Sequence, residues 1–269
     1  MYADLLNTAL AAGKKSAAAI LSALDKPKNL DFKGRTDLVT DSDRRSEEII
    51  ISQIIKNYPD HGLLAEESGK KTGNSDFLWV IDPLDGTTNF VHGFPAFAVS
   101  IACLKKGIPV IGVCIELPEF KIYSAQIHQG AFLDNVPIKV SRNRKLSQSL
   151  LVTGFGYEHG DLWQTNLKLF KLFTAQTRGV HRTGSAVLDL CYVARGIYDG
   201  FWELDLHPWD TAAGIILVNE AGGKVTGMDG LPFSIFKKQL LAANSALHPE
   251  MLREMKVEIN KLKKIIPDL

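Results

Sequence analysis

In several parts of the chain, apolar residues recur at the spacing that places them on one face of an α-helix. Over residues 2–24, Leu6, Leu10 and Ile20 follow this spacing, and Asp25-Lys26-Pro27 ends the run. These residues therefore predict an amphipathic first helix. The same spacing predicts further helices around Ile49–Ile55 and at 163–176, 185–195, 208–222 and 249–266.

Shorter apolar runs bounded by turn residues predict β-strands. Between residues 97 and 140, four such runs are separated by hairpin signals such as Lys106-Gly107, which predicts an antiparallel meander. The four runs lie at 97–104, 110–116, 121–126 and 131–140. Other strands are predicted at Leu63–Ala65, Trp79–Ile81, Leu150–Thr153, Tyr198–Glu203 and Leu240–Ala243. The polar stretch 70–76 is predicted to be a mobile loop.

Helices and strands mix along the whole length, without an internal repeat or a low-complexity segment. The predicted fold class is therefore α/β (α+β) with a large antiparallel sheet, rather than a barrel of alternating units. A chain of 269 residues can bury a large core. We expect a single domain, residues 1–269, made of two closely packed halves at about 1–145 and 146–269.

The composition is that of an ordinary globular protein, with 45% apolar residues, 23% charged residues and a formal net charge of +1. This charge gives no reason to expect nucleic acid or an anionic membrane as an obligate partner. Two basic clusters, Arg142-Asn143-Arg144-Lys145 and Lys261-Leu262-Lys263-Lys264, are short and far apart in sequence. The pattern favours two solvated faces over one binding stripe.

The cysteines indicate a reducing compartment. Cys103, Cys114 and Cys191 lie in apolar surroundings without metal-type spacing, which favours buried free thiols. No apolar run approaches the length of a membrane span, and no basic leader precedes the first apolar residues. The chain is therefore predicted to be cytoplasmic.

One stretch combines a strand, a sharp turn and a helix start. The apolar run Trp79–Ile81 is followed by Asp82, by Pro83, which cannot donate to a β-ladder, and by Asp85 in a turn. Thr87–Asn89 can cap a helix. A tight turn lets the two carboxylates converge, and they repel each other unless a cation lies between them. Next to a helix N-terminus this arrangement suits metal ions and a phosphate, whereas in isolation it would be a solvated turn.

Two further carboxylates, Glu66 and Asp210, also lie where an apolar element ends. Oxygen ligands without His or Cys select Mg²⁺, Mn²⁺ or Ca²⁺ over zinc. Each Mg²⁺ usually takes one or two carboxylates, so four carboxylates suit two or three ions. Simpler explanations stay open for single residues: Asp210 can offset a helix dipole, and Asp43 can be an N-cap or first-turn charge.

The acidic segments occur in the order typical of a known family. Trp79–His92 resembles the first signature of the inositol monophosphatase family, and Trp209–Gly223 resembles the second. Glu66-Glu67-Ser68 and Asp37–Thr40, with Asp43 three residues on, are similar to the family's two other acidic segments. The resemblance covers nearly the whole chain. It implies a Mg²⁺-dependent, lithium-sensitive sugar phosphatase with a layered α-β-α-β-α fold, a second smaller sheet and usually a homodimeric assembly.

The resemblance also implies a set of metal ligands. Glu66, Asp82 and the carbonyl of Leu84 would hold one Mg²⁺. Asp82, Asp85 and Asp210 would hold a second, with Asp82 bridging. A third, weaker ion would lie near Glu66, and Mn²⁺ is a possible substitute.

Catalytic and substrate-binding roles follow from the same resemblance. Glu66 and Thr87 would orient the attacking water, Asp43 would support Thr87, and the N–H groups of Gly86 and Thr87 would bind the phosphate. The substrate hydroxyls would meet Asp85, Gly184, Ser185, Ala186, Glu203 and Asp210. Glu203 could instead be a surface charge at a strand end, and Gly184-Ser185-Ala186 only a helix start. Lys33 matches the family's upstream lysine, and His181 and Arg182 are candidate extra contacts.

The implied reaction is hydrolysis of myo-inositol 1-phosphate by a metal-activated water. Relatives of the fold act on fructose 1,6-bisphosphate, histidinol phosphate, NADP(H) or 3′-phosphoadenosine phosphates, and we expect the loops 154–159, 181–186 and 204–207 to decide between them. A second phosphate would need an added basic cluster, for which only Arg182 and Lys33 are candidates. This favours a monophosphate. The competing hypothesis, from another functional class, is a regulatory protein that keeps the fold and binds a partner. Such a protein could have lost metal ligands, but every acidic position of the family's motifs still holds an acidic residue here.

Overall fold

The computed structural model describes residues 2–24, 26, 30–32 and 38–266. The helices are α1 (Ala3–Ala23), α2 (Asp41–Asn57), α3 (Thr87–His92), α4 (Asp161–Gln176), α5 (Ala186–Ala194), α6 (Pro208–Glu220) and α7 (His248–Ile265). The strands are β1 (Leu30–Phe32), β2 (Leu38–Thr40), β3 (Gly62–Ala65), β4 (Gly69–Lys71), β5 (Phe77–Asp85), β6 (Phe97–Lys105), β7 (Ile108–Leu117), β8 (Lys121–Gln126), β9 (Gly130–Leu133), β10 (Val136–Ile138), β11 (Leu150–Thr153), β12 (Gly179–His181), β13 (Gly200–Leu204), β14 (Gly223–Thr226) and β15 (Gln239–Asn244). Lys33 and Asp37 lie outside the described residues.

Two sheets organise the chain. The larger has eight strands in the order β10-β9-β8-β7-β6-β5-β3-β4, and the smaller has five in the order β12-β11-β13-β15-β14. The predicted large antiparallel sheet is confirmed except that β3 pairs with β5 in parallel. In the smaller sheet β11 is parallel to both β12 and β13. The three parallel strands therefore end at the same edge.

Helices cover both faces of each sheet. α1 and α2 pack on the outer face of the larger sheet, α5 and α6 fill the space between the sheets, and α4 and α7 cover the outer face of the smaller sheet. This order gives the layered α-β-α-β-α architecture that the family resemblance implied. The middle layer packs closely on the larger sheet. A Cβ added to Gly112 of β7 would lie only 2.8 Å from the carbonyl oxygen of Ala213 in α6, so this position requires glycine.

Five short strands escape prediction from the sequence: β1 and β2, which pair with each other, and three strands at sheet edges. β4 falls at the start of the stretch predicted as a loop, and β12 and β14 form the two edges of the smaller sheet. These edge strands carry few apolar side chains because an edge strand can present polar residues to solvent while its backbone is paired on one side. The periodicity of apolar residues therefore gives no sign of them.

The cysteines are as predicted: Cys103, Cys114 and Cys191 are all buried and free. Their Sγ atoms pack within the apolar layers on either side of the larger sheet. Among the described residues, no helix combines the length and the apolar character needed to cross a bilayer.

A buried histidine lies at the start of α7. His248 Nε2 is 2.9 Å from the hydroxyl of Thr226, and within the described part of the chain its Nδ1 has no hydrogen-bond partner. Burial, with a smaller contribution from the charge of Lys224, lowers the pKa of His248 to about 4. Protonation of this ring therefore opposes folding.

We expect His248 by itself to lower the free energy of unfolding as the pH drops from about 6.5 to about 4. In this range the unfolded chain binds a proton at His248 that the folded chain excludes, which corresponds to about 3 kcal/mol across the window. His248→Gln should remove this contribution while keeping a partner for Thr226. Urea unfolding at several pH values checks the prediction, with exposed His159→Gln as the control. Equal pH slopes for wild type and His248→Gln would show that it is wrong.

Candidate active site

A cavity of 640 Å³ opens where the ends of β5, β11 and β13 meet the start of α6. It collects nearly all of the site residues predicted from the sequence. Those that line it are Glu66, Asp82, Leu84, Asp85, Gly86, Thr87, Gly184, Ser185, Ala186, Glu203 and Asp210. Asp43, the remaining one, lies beneath the cavity wall and is completely buried.

Asp82 and Asp85 both lie within strand β5. The sequence pattern predicts that this strand ends at Ile81, before the two aspartates. Asp82 pairs with Ser100 and Asp85 with Ala98, so β5 contains one more residue than its partner β6 between these pairs. Paired residues share a face of the sheet, and Ser100 and Ala98 are two apart, so this β-bulge turns both aspartates to the same side. Pro83, which lacks an N–H, is accommodated in the bulge.

Helix α3 starts immediately after this strand. Gly86 takes the left-handed conformation, with φ 87°, and a Cβ added there would lie 2.8 Å from the carbonyl oxygen of Ala96. Only glycine suits both constraints. Gly86 is also the N-cap of α3, and no side chain caps the helix. The prediction that Thr87–Asn89 would cap it is therefore wrong, because the helix already begins at Thr87.

The hydroxyl of Thr87 faces the cavity and contacts Asp43. Its Oγ1 lies 2.9 Å from Oδ1 of Asp43 and 3.0 Å from the carbonyl oxygen of Leu84. The other Asp43 oxygen accepts from the backbone N–H and the hydroxyl of Thr40, at 2.8 and 2.6 Å. Asp43 is thus both the third residue of a capping box on α2 and the partner of Thr87. The N-cap interpretation of Asp43 is wrong, because Thr40 is the N-cap, whereas the first-turn position and the contact with Thr87 occur together.

Helix α2 also fixes the two acidic turns. Glu47 accepts hydrogen bonds from the backbone N–H groups of Glu67 and Ser68, both at 2.9 Å. Ser46 donates to the carbonyl oxygen of Pro83 at 2.6 Å. These contacts hold the turns at the ends of the neighbouring strands β3 and β5, which carry Glu66 and Asp82. No sequence pattern indicates them, because Ser46 and Glu47 look like ordinary helix residues.

Asp85 joins the end of β5 to the loop before α5. Its Oδ2 accepts from the hydroxyl of Ser185 at 2.6 Å and from the N–H of Val187 at 2.8 Å. Asn89 donates to the carbonyl oxygen of Thr183 at 2.9 Å. Ser185 also caps α5, so the helix-start interpretation of this loop is right, and the loop lines the cavity as well.

Asp210 approaches from the opposite side, in the first turn of α6. Its Oδ2 accepts from the N–H of His207 at 2.7 Å, which closes the start of the helix. Trp209 stacks on the ring of His207, with the ring centres 5.0 Å apart. For Asp210, the role at the helix end and the position in the cavity therefore occur together.

The four carboxylates repel one another electrostatically. Burial raises the pKa of Asp82 well above its usual value, and the negative charges of Glu66, Asp85 and Asp210 raise it further. Burial likewise raises the pKa of Asp85 to about 6, although hydrogen bonds from Ser185 and from the backbone oppose this. The pKa of Asp210 is also raised by burial and then by Asp85. The charges that raise the pKa of Asp82 are all negative, so a cation bound at the cluster would offset them.

The donor set fits magnesium. Carboxylate oxygens and the Leu84 carbonyl are the hard ligands that Mg²⁺ prefers. Across the part of the chain that the structure describes, no three His, Cys, Asp or Glu side chains form a ready-made metal-binding group. Mg²⁺ does not require one, because it usually takes one or two carboxylates and completes its shell with water and phosphate oxygens.

The far end of the cavity has a different character. Glu203 is 8% exposed and lies over Gly154, where any side chain would collide with its carboxylate, so a surface role for Glu203 is wrong. Asp189 is 1% exposed and accepts from the hydroxyl of Thr183. Its Oδ2 has no partner within the described chain. Burial raises the pKa of both carboxyls, whereas Arg182 acts in the opposite direction.

Sequence reasoning missed Asp189, Asp205 and Lys238, all of which line the cavity. Lys238 pairs with Asp205 at 3.2 Å. An acid in the otherwise apolar helix Ala186–Ala194 was a usable signal for Asp189, whereas Lys238 follows an exposed loop without any pattern. Arg182 lines the cavity, but His181 does not and instead contacts the hydroxyl of Tyr198 at 3.0 Å.

The comparisons with known proteins agree with this geometry. The Inositol monophosphatase family matches residues 1–260. The chain is 45% identical over 268 residues to the chloroplastic phosphatase IMPL1 of Arabidopsis thaliana, with 97% of this chain and 72% of that protein covered. It is 45% identical over 245 residues to the inositol-1-monophosphatase of Synechocystis sp., covering 90% of this chain and 84% of that protein.

A solved structure supports the same grouping. The extragenic suppressor protein suhB from Bartonella henselae superposes with a TM-score of 0.90 at 37% identity, covering 94% of this chain and 98% of that one. Its overall layers are therefore those described above. With a family match over nearly its whole length and the carboxylate cavity in place, the chain belongs to the inositol monophosphatase family and is a phosphatase of that family.

Proposed function

We propose that the protein is a Mg²⁺-dependent phosphomonoesterase that hydrolyses myo-inositol 1-phosphate. The observation that carries this proposal is the convergence of four carboxylates, Glu66, Asp82, Asp85 and Asp210, on one cavity, beside a threonine hydroxyl paired with the buried Asp43. Burying four carboxylates together lowers the stability of the folded chain, because they lose hydration and repel one another. Bound cations would offset this cost. A cytoplasmic, lithium-sensitive homodimer is part of the same proposal.

The ligand roles follow from position. Glu66, Asp82 and the Leu84 carbonyl would hold one ion, and Asp82, Asp85 and Asp210 a second, with a third near Glu66. When bound, Mg²⁺ supplies positive charge that acidifies a water and offsets the charge developing on the departing oxygen. Mn²⁺ would serve as a substitute because it prefers similar oxygen ligands.

The chain's own residues orient the water. Thr87 Oγ1 has one proton, which it can donate to Asp43, leaving its lone pairs to accept from a water in the cavity. Asp43 cannot turn away because Thr40 holds its other oxygen. Glu66, which also lines the cavity, would accept from the same water. The N–H groups of Gly86 and Thr87 would donate to the phosphate.

The far end of the cavity supports a polyol. Glu203 and Asp189 offer buried acceptor oxygens for hydroxyl groups, next to Asp85, Asp210 and the Gly184–Ala186 backbone. The cations on the cavity wall are Arg182 and Lys238, and Lys238 is already paired with Asp205. This supply of positive charge supports a monophosphate over fructose 1,6-bisphosphate. Histidinol phosphate and NADP are further candidate substrates within the same fold.

A second candidate is a regulatory protein that keeps the fold and acts by binding a partner. It is favoured by one observation, namely the close likeness to a protein named as an extragenic suppressor. The two candidates differ in a measurable way. A protein that only binds has no need of Mg²⁺-dependent turnover on any phosphate ester.

We expect phosphate release from inositol 1-phosphate to require Mg²⁺. Asp82→Asn and Asp210→Asn should each lower kcat by on the order of a hundredfold or more, because each removes charge from the ion-binding wall. Without Mg²⁺ both variants should melt at a higher temperature than wild type, since carboxylate repulsion is relieved, and Mg²⁺ should raise their melting temperature less. Exposed Asp76→Asn is the matched control.

Activity assays on a wide panel of phosphate esters, together with calorimetric melting curves, check this prediction. Wild-type protein without turnover on the whole panel would favour the partner-binding candidate. Turnover on the panel that persists at high lithium concentration would instead indicate a fructose-bisphosphatase-like relative.

Thr87→Val keeps the shape of the side chain but removes the hydroxyl that contacts Asp43. We expect kcat to fall by about 10²–10⁴-fold, as for loss of a group that handles the water proton, while KM changes little. Thr87→Ser should retain most of the activity because it keeps the hydroxyl. Steady-state kinetics of the pair separate this role from a packing role. Similar losses in both variants would contradict it.

Glu203→Gln tests the polyol end. We expect KM for inositol 1-phosphate to rise by about tenfold, because the amide replaces one of the two oxygens available to the substrate hydroxyls with an NH₂ group. Hydrolysis of p-nitrophenyl phosphate, which has no hydroxyls there, should be unchanged. Exposed Glu119→Gln serves as the control. Equal effects on both substrates would place Glu203 in the phosphate chemistry instead.

A further inference from the structure

A second cavity, of 510 Å³, lies at the other end of the parallel strands of the smaller sheet. Leu150 begins β11, Arg178 precedes β12 and Asp199 precedes β13, and all three line this cavity. Glu203 and Arg182, near the opposite ends of β13 and β12, line the candidate active site. We call the second cavity the basal groove. It is separated from the active site by the length of the strands.

One side of the basal groove is formed by Asn143 of the segment 141–145. Ser141 and Asn143 hydrogen-bond to the carboxylate of Asp199. Arg142, Arg144 and Lys145 are exposed, whereas Ser141 and Asn143 are half-buried. The anchored residues hold the exposed arginines next to the groove. The basic cluster is therefore held in place at its backbone.

The surface around the groove carries an excess of positive charge. Arg178 is exposed and lines the groove, whereas Arg142, Arg144 and Lys145 are exposed chain neighbours of the lining residue Asn143. No carboxylate of the described residues lies within ion-pair distance of these four cations. The carboxylate in the groove, Asp199, already accepts from Ser141, Asn143 and the N–H of Leu150. The carboxylate of Asp199 is thus occupied by hydrogen-bond donors of the protein itself. The four cations face solvent, in a chain with a net charge of only +1.

The groove also has an apolar part. Leu150 and Ile197 line it, and Ile197 is 45% exposed. The other lining residues within the described chain are polar or glycine, so it offers no aromatic ring on which a nucleic-acid base could stack. A phosphodiester backbone would also leave Ile197 unmatched. The combination of cations around a small aliphatic surface suits acidic side chains with an apolar one among them.

We propose that the basal groove is an interaction surface for an acidic peptide segment of a partner protein, with an aliphatic side chain of that segment packing on Ile197. The acidic side chains would pair with Arg142, Arg144, Lys145 and Arg178. The basic cluster, for which the sequence favoured a solvated face, then has a function. This proposal does not depend on the phosphatase substrate, because none of these residues lines the active-site cavity.

The test uses a fluorescein-labelled peptide that repeats Glu-Glu-Leu four times, titrated with the full-length protein at low salt and followed by fluorescence anisotropy. We expect saturable binding that weakens as salt is added. The triple variant Arg142→Glu, Arg144→Glu, Arg178→Glu should weaken it by at least about tenfold. The control variant Lys14→Glu, Lys56→Glu, Lys256→Glu changes the net charge equally on other faces. It should bind as wild type does.

A second comparison isolates the apolar contact. A peptide with serine in place of leucine should bind wild type more weakly, but should bind Ile197→Ser as well as the leucine peptide does. Phosphatase activity of all variants should stay within about twofold of wild type, since the active site is untouched.

Several results would overturn the proposal. They are absence of saturable binding, equal weakening by the two triple variants, and tighter binding of single-stranded oligo-uridine than of the peptide to the same face. The last result would identify a nucleic-acid surface instead.

Discussion

Repulsion among buried carboxylates is the constraint on which the rest of this structure depends. Asp82 is only 2% exposed, and the charges that act on it are those of other acids. Left to itself, such a group would move into solvent or take up a proton. The surrounding elements prevent movement: α2 holds the turns at the ends of β3 and β5, and the loop before α5 holds Asp85. The fold thus stores an unfavourable interaction that cations can relieve.

The residues that hold the site also build the secondary structure around it. Asp43 closes the start of α2, Ser185 closes the start of α5, and Asp210 closes the start of α6. Each therefore connects helix formation to the placement of a side chain in the cavity. A ligand binding there meets groups whose positions are already fixed, which lowers the entropy lost on binding.

Much of this could be predicted from the residues. Apolar periodicity indicates the long helices and the meander, and the acidic residues at element ends indicate the site. The bulge at Asp82–Asp85 could not be predicted, because it is defined by pairing with β6. The edge strands β4, β12 and β14 have no apolar pattern, since one side of each faces solvent. Lys238 enters the cavity only through tertiary packing, and Ser46 and Glu47 act through backbone contacts that leave no trace in sequence.

The parallel strands β11, β12 and β13 place one cavity at each of their two ends. Because the residues at the two ends do not touch one another, substitutions at one end leave the chemistry of the other intact. Evolution can therefore change either end separately on the same scaffold. Descendants of one ancestral gene could retain catalysis while losing an association, or retain the association after catalysis has decayed.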